Sequence, residues 1–290
     1  MKLKLKNKRG IVMAHRTDLA VELKKNLEYE DGLEKKIKKI NGISIISIKI
    51  KTKKIAEKLK KPVGNYITLQ HKEILDPQNL KIAENILVGQ LGKFLEDKKN
   101  ILFVGLGNKE ITSDSLGPLV ADRVVVTRQF DTNIKEIFGF KEIKVVSAIS
   151  PGVFGKTGIE ATEIVKACCF VVKPDLVVAA DSLAAGSVLR LGSTIQISDT
   201  GICPGSGVQN KRKELSKDVL GVPVLAIGVP TVVDMRNIQN KNIESSKEAM
   251  ILTPKNIDQI VKRSARLISD ALNRALFPKI KAKELKAFYD

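Results

Sequence analysis

Two aspartates stand where carboxylates commonly do chemistry. Asp114 follows an apolar run at residues 101–104 (ILFV), and Asp181 directly follows another at residues 176–180 (LVVAA). Short apolar runs bounded by glycine or polar residues read as buried strands. Open α/β sheets collect their sites at the carboxyl ends of such strands. Two carboxylates sharing one edge repel each other, so their titrations separate and one serves as base while the other serves as acid. The same residues have a plainer use. Asp114 precedes an apolar helical run from about Ser115 and is placed to cap it, and Asp181 is placed to cap the turn Ser182-Leu183-Ala184. A cation held by the same oxygens stays open as well.

Other chemistries are poorly supplied. The chain has 2 histidines, His15 in a basic N-terminal stretch and His71 in a lysine-rich turn. A Ser-His-Asp or Cys-His site needs an imidazole beside its nucleophile, and zinc hydrolysis needs several soft ligands. No cofactor is expected. The glycines of Gly105-Leu106-Gly107-Asn108 let the chain turn at the end of the first strand. Gly105, Gly107 and Asn108 are therefore candidates to offer backbone N–H groups to a developing oxyanion. That loop lacks the third glycine of a dinucleotide fingerprint, since Glu110 occupies its place. Residues 147–158 (SAISPGVFGKTG) imitate a phosphate-binding loop, with Lys156 as its lysine, but Ser150 replaces the first glycine. A P-loop-like NTPase is thus an alternative reading. Residues 198–213 form a long glycine- and serine-rich loop that presents Lys211, Arg212 and Lys213 to substrates or acidic partners.

The elements that must hold these groups alternate. Residues 43–50 and 66–69 read as strands of a small antiparallel element, and Asp76-Pro77 opens a helix running to Phe94. Strands at 101–104, 143–147, 176–180, 194–197 and 222–227 alternate with helices from about Ser115 and over 158–172. Such alternation predicts an α/β fold, a doubly wound, mostly parallel sheet flanked by helices. Ile257, Ile260, Val261, Ala265, Ile268, Leu272 and Leu276 form the apolar stripe of a final amphipathic helix. The expected organisation is a basic tail over 1–18, one domain over 19–278 and a frayed basic tail over 279–290. Within the domain, 19–75 form the antiparallel element and 76–278 the core.

Composition sets the outer bounds. At 290 residues and 43% hydrophobic, the chain can bury a sizeable core. No apolar run reaches the roughly 18 residues that span a bilayer, so a cytoplasmic protein is expected. The 3 cysteines, Cys168, Cys169 and Cys203, lack metal or redox spacing and read as unpaired thiols. A net charge of +18 invites acidic partners, yet aromatics are only 4% and tryptophan is absent, so stacking platforms for nucleic acid are scarce. A non-enzymatic basic module that binds DNA or DNA-coating proteins is the second alternative.

Six stretches together resemble the germination protease family of spore-forming bacteria: residues 16–22 (RTDLAVE), 104–118 (VGLGNKEITSDSLGP), 146–160 (VSAISPGVFGKTGIE), 174–187 (PDLVVAADSLAAGS), 194–215 (TIQISDTGICPGSGVQNKRKEL) and 221–234 (GVPVLAIGVPTVVD). The resemblance implies a core like that of hydrogenase-maturation endopeptidases and an endopeptidase acting on small acid-soluble spore proteins in the spore core. It implies a self-processing zymogen and a homotetramer, with no membrane partner and no sequence-specific nucleic-acid binding. The family's two essential aspartates fall on Asp114 and Asp181. Its processing motif, an acidic residue followed by an apolar residue, alanine, any residue and glutamate, falls on Asp18-Leu19-Ala20-Val21-Glu22, with the cut between Asp18 and Leu19. Residues 1–18 carry six basic groups and one acidic group, so removing them sheds five net positive charges. The sequence departs from the family at Cys203, where histidine is usual, at Lys156, where an apolar residue is usual, and in a shortened segment over 235–252.

Overall fold

The strand that begins the central motif, β4 (Asn100–Gly105), lies inside the sheet, between β5 (Val145–Ile149) and β6 (Leu176–Ala185). In the computed structural model, residues 17–22, 30–130, 143–203, 213–235, 250–286 and 288 are described. Among them the remaining strands are β1 (Leu33–Ile40), β2 (Ile43–Ile50), β3 (Gly64–Gln70), β7 (Thr194–Ser198), β8 (Val224–Asp234) and β9 (Ile251–Leu252). The sheet order is β1-β2-β3-β7-β8-β6-β4-β5, with β9 on β8. Strands β8, β6, β4 and β5 pair in parallel, while β1, β2, β3, β7 and β9 join antiparallel. The doubly wound parallel core is therefore four strands wide, and the N-terminal antiparallel element continues the same sheet through β3 and β7.

The helices are α1 (Lys53–Leu59), α2 (Pro77–Leu95), α3 (Leu116–Ala121), α4 (Phe154–Thr157), α5 (Ala161–Val172), α6 (Lys217–Leu220), α7 (Ile257–Leu276) and α8 (Ala282–Lys286). Helices α2, α3 and α7 cover one face over Phe103, Val178, Ala180 and Ile227, while α5 and α6 cover the other over Leu102, Val104, Val177 and Ala179. Neighbouring residues of β4 and β6 thus go to opposite cores, which is why both strands read as continuous apolar runs. On α7, Val261, Ala265, Ile268, Leu272 and Leu276 are buried at the helical spacing expected of them. Each fully buried large aliphatic side chain there contributes about 1.5–3 kcal/mol. Asp76 caps α2 through Gln78 N–H, with Pro77 in the first turn.

Three expectations change. The tail after Pro278 is not frayed throughout, because Leu285 on α8 is 1% exposed and packs into the main core. Strand β1 and helix α1 were not foreseen. The LEKKIKKI strand is lysine-rich and largely exposed, as suits an edge strand that must repel further pairing. Strand β6 does not stop at Ala180. It runs through Asp181 to Ala185 because β8 keeps pairing with it, past a register shift between Leu183 and Ala184. Residues 1–16, including His15, lie outside the described residues, as do Lys211 and Arg212.

Candidate active site

Asp114 ends a 3-10 turn, Thr112–Asp114, that drops back onto the loop after β4. Asn108 N–H donates to the Asp114 carbonyl at 3.0 Å and to its Oδ2 at 2.8 Å. Two glycines allow this approach. Gly107 has φ +114°, and a Cβ there would sit 2.0 Å from the Asp114 carbonyl oxygen. A Cβ on Gly117 would sit 2.2 Å from Leu106 O and 2.4 Å from Ala180 O, so α3 rests backbone to backbone on the end of β4 and the middle of β6. The turn is tied to β8 as well, where the Thr231 hydroxyl donates to Ser113 O at 2.7 Å. Ser115, not Asp114, is the N-cap of α3, so Asp114 is not that helix's cap.

Asp181 is 4% exposed and lies within β6, one residue past Ala180, whose carbonyl accepts Leu106 N–H at 2.8 Å. Its Oδ1 accepts the N–H of Ser182 at 2.8 Å. Because residues 182–184 are strand, Asp181 caps no turn. Asp114 therefore meets the loop at 105–108 directly, and the residue before Asp181, Ala180, meets it through Leu106 N–H. The N–H groups of Leu106 and Asn108 already serve Ala180 and Asp114. That loop holds Asp114 in place, and its Leu106 and Asn108 amides are not spare oxyanion donors.

The processing motif is docked beside them. Asp18 N–H donates to Ala184 O at 2.9 Å, and Ala184 N–H donates to Asp18 Oδ2 at 2.8 Å. Leu19 is fully buried against Leu183, Ala185 and Val233, and Ala20 is fully buried against Ile46, Ile48 and Tyr66. The Glu22 carboxylate accepts Gly186 N–H at 2.6 Å and the Thr17 hydroxyl, with Arg190 Nε at 3.9 Å. Lys61 Nζ donates to Thr17 O at 2.9 Å. Burial pulls the Lys61 pKa down, and the charges of Asp18 and Glu22 push back. Segment 17–22 thus lies along the extension of β6 beyond Asp181, with Leu19 and Ala20 buried in separate apolar clusters.

Beside this segment is a cavity of about 240 Å³ whose lining includes Asp18, Lys61, Leu183, Gln196, Cys203 and Gly228. Burial raises the Cys203 pKa first, and Glu214, Asp18 and Asp181 raise it further. Burial and the neighbouring carboxylates thus disfavour the thiolate, the nucleophilic form of cysteine. The contacts to Lys61, Gly186, Arg190 and Gln196 were not foreseen from the sequence. The one local clue was the TIQIS strand β7, whose polar residues Thr194, Gln196 and Ser198 alternate yet are all buried. Lys61→Met should speed hydrogen exchange at the Asp18 and Ala20 amides by roughly 10- to 100-fold, because a charged hydrogen bond is worth about 1.5–3 kcal/mol. Unchanged protection would show that Lys61 does not hold the segment.

The phosphate-loop alternative finds no cradle. Lys156 lies in the single turn α4, where the N–H groups of Lys156, Thr157 and Gly158 bond to Val153 and Phe154, and its ammonium pairs with Glu110. Lys213, expected to face acidic partners, pairs with Glu163 at 2.9 Å. His71 accepts Glu73 N–H at 3.2 Å within its own turn. Cys168, Cys169 and Cys203 form no disulfide with one another. No group of three or more metal-ligating side chains occurs among the described residues, and none of their helices is long and apolar enough to cross a membrane.

The germination protease family profile matches residues 11–246, which takes in both aspartates and the docked segment. The chain belongs to the germination protease family. The germination protease of Caldanaerobacter subterraneus is 38% identical over 95% of this chain and 98% of its own. That of Clostridium acetobutylicum is 34% identical over 94% and 98%, and that of Bacillus pumilus 41% over 91% and 72%. A hydrogenase maturation protease, HycI from Thermococcus kodakarensis, aligns with a TM-score of 0.36 and 22% identity over 63% of this chain and 98% of that one. Membership in a protease family makes this chain a peptidase, replacing the non-enzymatic basic module and the NTPase.

Proposed function

We propose that the chain is an endopeptidase precursor that cuts its own Asp18–Leu19 bond and then cleaves small acid-soluble spore proteins. Asp114 and Asp181 divide the work: one takes a proton from the attacking water and the other gives a proton to the leaving Leu19 nitrogen. The carbon–nitrogen bond breaks, leaving a carboxylic acid at Asp18 and an amine at Leu19. The observation that carries this reading is the docking of segment 17–22 along β6, three residues from Asp181, with Leu19 and Ala20 fully buried. Residues 1–18 are the leader, 19–278 the catalytic domain and 279–290 its basic end. A homotetramer acting in the spore core, with substrates that coat DNA, fits the family and a net charge of +18.

The same recesses define a preference in a substrate supplied from outside: an acidic residue before the cut, an apolar residue after it, then alanine, and glutamate two residues further on. The matured chain, incubated with an acidic spore protein carrying such a site, should yield two fragments split after the acidic residue. Replacing that alanine by leucine should cut the rate at least about tenfold, since overfilling a packed recess costs roughly 1–3 kcal/mol. Cleavage at unrelated sequences, or none, would overturn this assignment.

A further inference from the structure

Strand register and two hydrogen bonds bring the Gln196 side chain to the Asp18–Leu19 bond. Asp181 on β6 pairs with Gly228 on β8, and Gly228 pairs with Gln196 on β7. A Cβ on Gly228 would lie 2.5 Å from Asp181 O and 2.7 Å from Leu183 Cγ, so nothing larger than hydrogen fits there. Leu183 lies two residues beyond Asp181 on the same face, and directly opposed residues of paired strands also share a face. Asp181 and Gln196 therefore flank Gly228, over which the Leu183 side chain lies, their Cα atoms about 10 Å apart at two strand spacings.

The Gln196 carboxamide is 7% exposed, and both of its ends are used. Nε2 donates to Asp18 O at 3.0 Å, and Oε1 accepts Ala20 N–H at 2.7 Å. These contacts straddle the Asp18–Leu19 peptide, one on its carbonyl oxygen and the other one residue beyond its nitrogen. A glutamine in a strand between Ile195 and Ile197, with its amide spent on a segment 176 and 178 residues away, has no role in the local sheet ladder. Both contacts are to backbone atoms, so they read the course of a chain rather than its side chains.

Resting on the endopeptidase reading above, we infer that Gln196 is a catalytic residue of the same site, the side-chain donor to the carbonyl oxygen of the bond that is cut. As water adds to the Asp18 carbonyl carbon, the oxygen gains negative charge and its bond from Nε2 strengthens. When the tetrahedral centre collapses, the bond to Leu19 nitrogen breaks and the carbonyl reforms against the same donor. Oε1 keeps the chain on the leaving side in register meanwhile. With the Leu106 and Asn108 amides committed elsewhere, this side chain does work that peptidases often assign to backbone N–H groups.

The test compares self-cleavage of the full chain with its Gln196→Glu and Gln196→Met variants, read by intact mass, alongside Ala20 amide protection read by hydrogen exchange. Gln196→Glu keeps the acceptor for Ala20 but loses the donor to Asp18. It should hold the Ala20 protection within about threefold while cleavage slows about 100-fold, the usual loss on removing one oxyanion donor. Gln196→Met keeps the volume and loses both contacts, so protection and cleavage should fall together. A merely structural glutamine would not separate the two readouts. Cleavage by either variant within threefold of the parent, while Asp181→Asn is inert, would overturn the role of Gln196 and leave the aspartate reading standing. If Asp181→Asn cleaves as fast as the parent, or the parent never cuts after Asp18, the endopeptidase reading itself fails.

Discussion

Asp181→Asn should abolish hydrolysis without weakening the fold. The carboxylate is 4% exposed, and its Oδ1 accepts Ser182 N–H, a bond that an amide oxygen can also accept. What the amide cannot do is take or give a proton near neutral pH. The loss expected from deleting a positioned acid or base is about 10²–10⁴-fold. Asparagine has nearly the volume of aspartate and keeps the Ser182 contact, so the thermal midpoint should hold. Asp114→Asn should behave alike, because its retained oxygen can still accept Asn108 N–H. A residue that merely held the backbone would show the opposite pattern, a lowered midpoint with activity kept. Melting curves and peptide hydrolysis measured on the same preparations separate the two.

Gly107→Ala should damage both the fold and the site. The residue has φ +114°, which side chains rarely adopt, and the added methyl would lie 2.0 Å from the Asp114 carbonyl oxygen. Backbone strain of about 1–3 kcal/mol joins overpacking of similar size, so the loss should approach about 4 kcal/mol, a large share of the roughly 5–15 kcal/mol that typically holds a domain. Urea titration gives the loss directly. Because the strain relaxes by pushing Asp114 away, activity should fall further than the unfolded fraction explains. The control is Gly155→Ala, which meets nothing within 4 Å and should leave stability within about 0.5 kcal/mol.

The parts of this chain legible in its sequence are those governed by local pattern. The apolar runs of β4 and β6, the capped start of α2 and the stripe on α7 all follow from burial at a fixed period, and the structure has each of them. The two aspartates could be named because each follows such a run. Their surroundings could not. That β6 continues through Asp181 depends on its pairing with β8, some 47 residues onward at Gly228. The strand β1 hid because none of its eight positions is buried deeply enough to need an apolar pattern of its own, lysines standing where an edge must stay unpaired. The groove around residues 17–22 is built from Ala184, Gly186 and Gln196, more than 160 residues away. No periodicity encodes such contacts. Gln196 was visible only as a polar residue in an alternating strand, and alternation alone reads as a solvent-facing side.

The central claim is that a carboxylate pair in this chain cuts the chain's own Asp18–Leu19 bond. Intact mass spectrometry of the purified full-length chain during mildly acidic incubation, beside Asp114→Asn and Asp181→Asn, tests it most directly. The account predicts that the parent loses residues 1–18 in one step, leaving a product that begins at Leu19, while both variants keep their full mass. Equal trimming of all three, or a cut at any other bond, would contradict it.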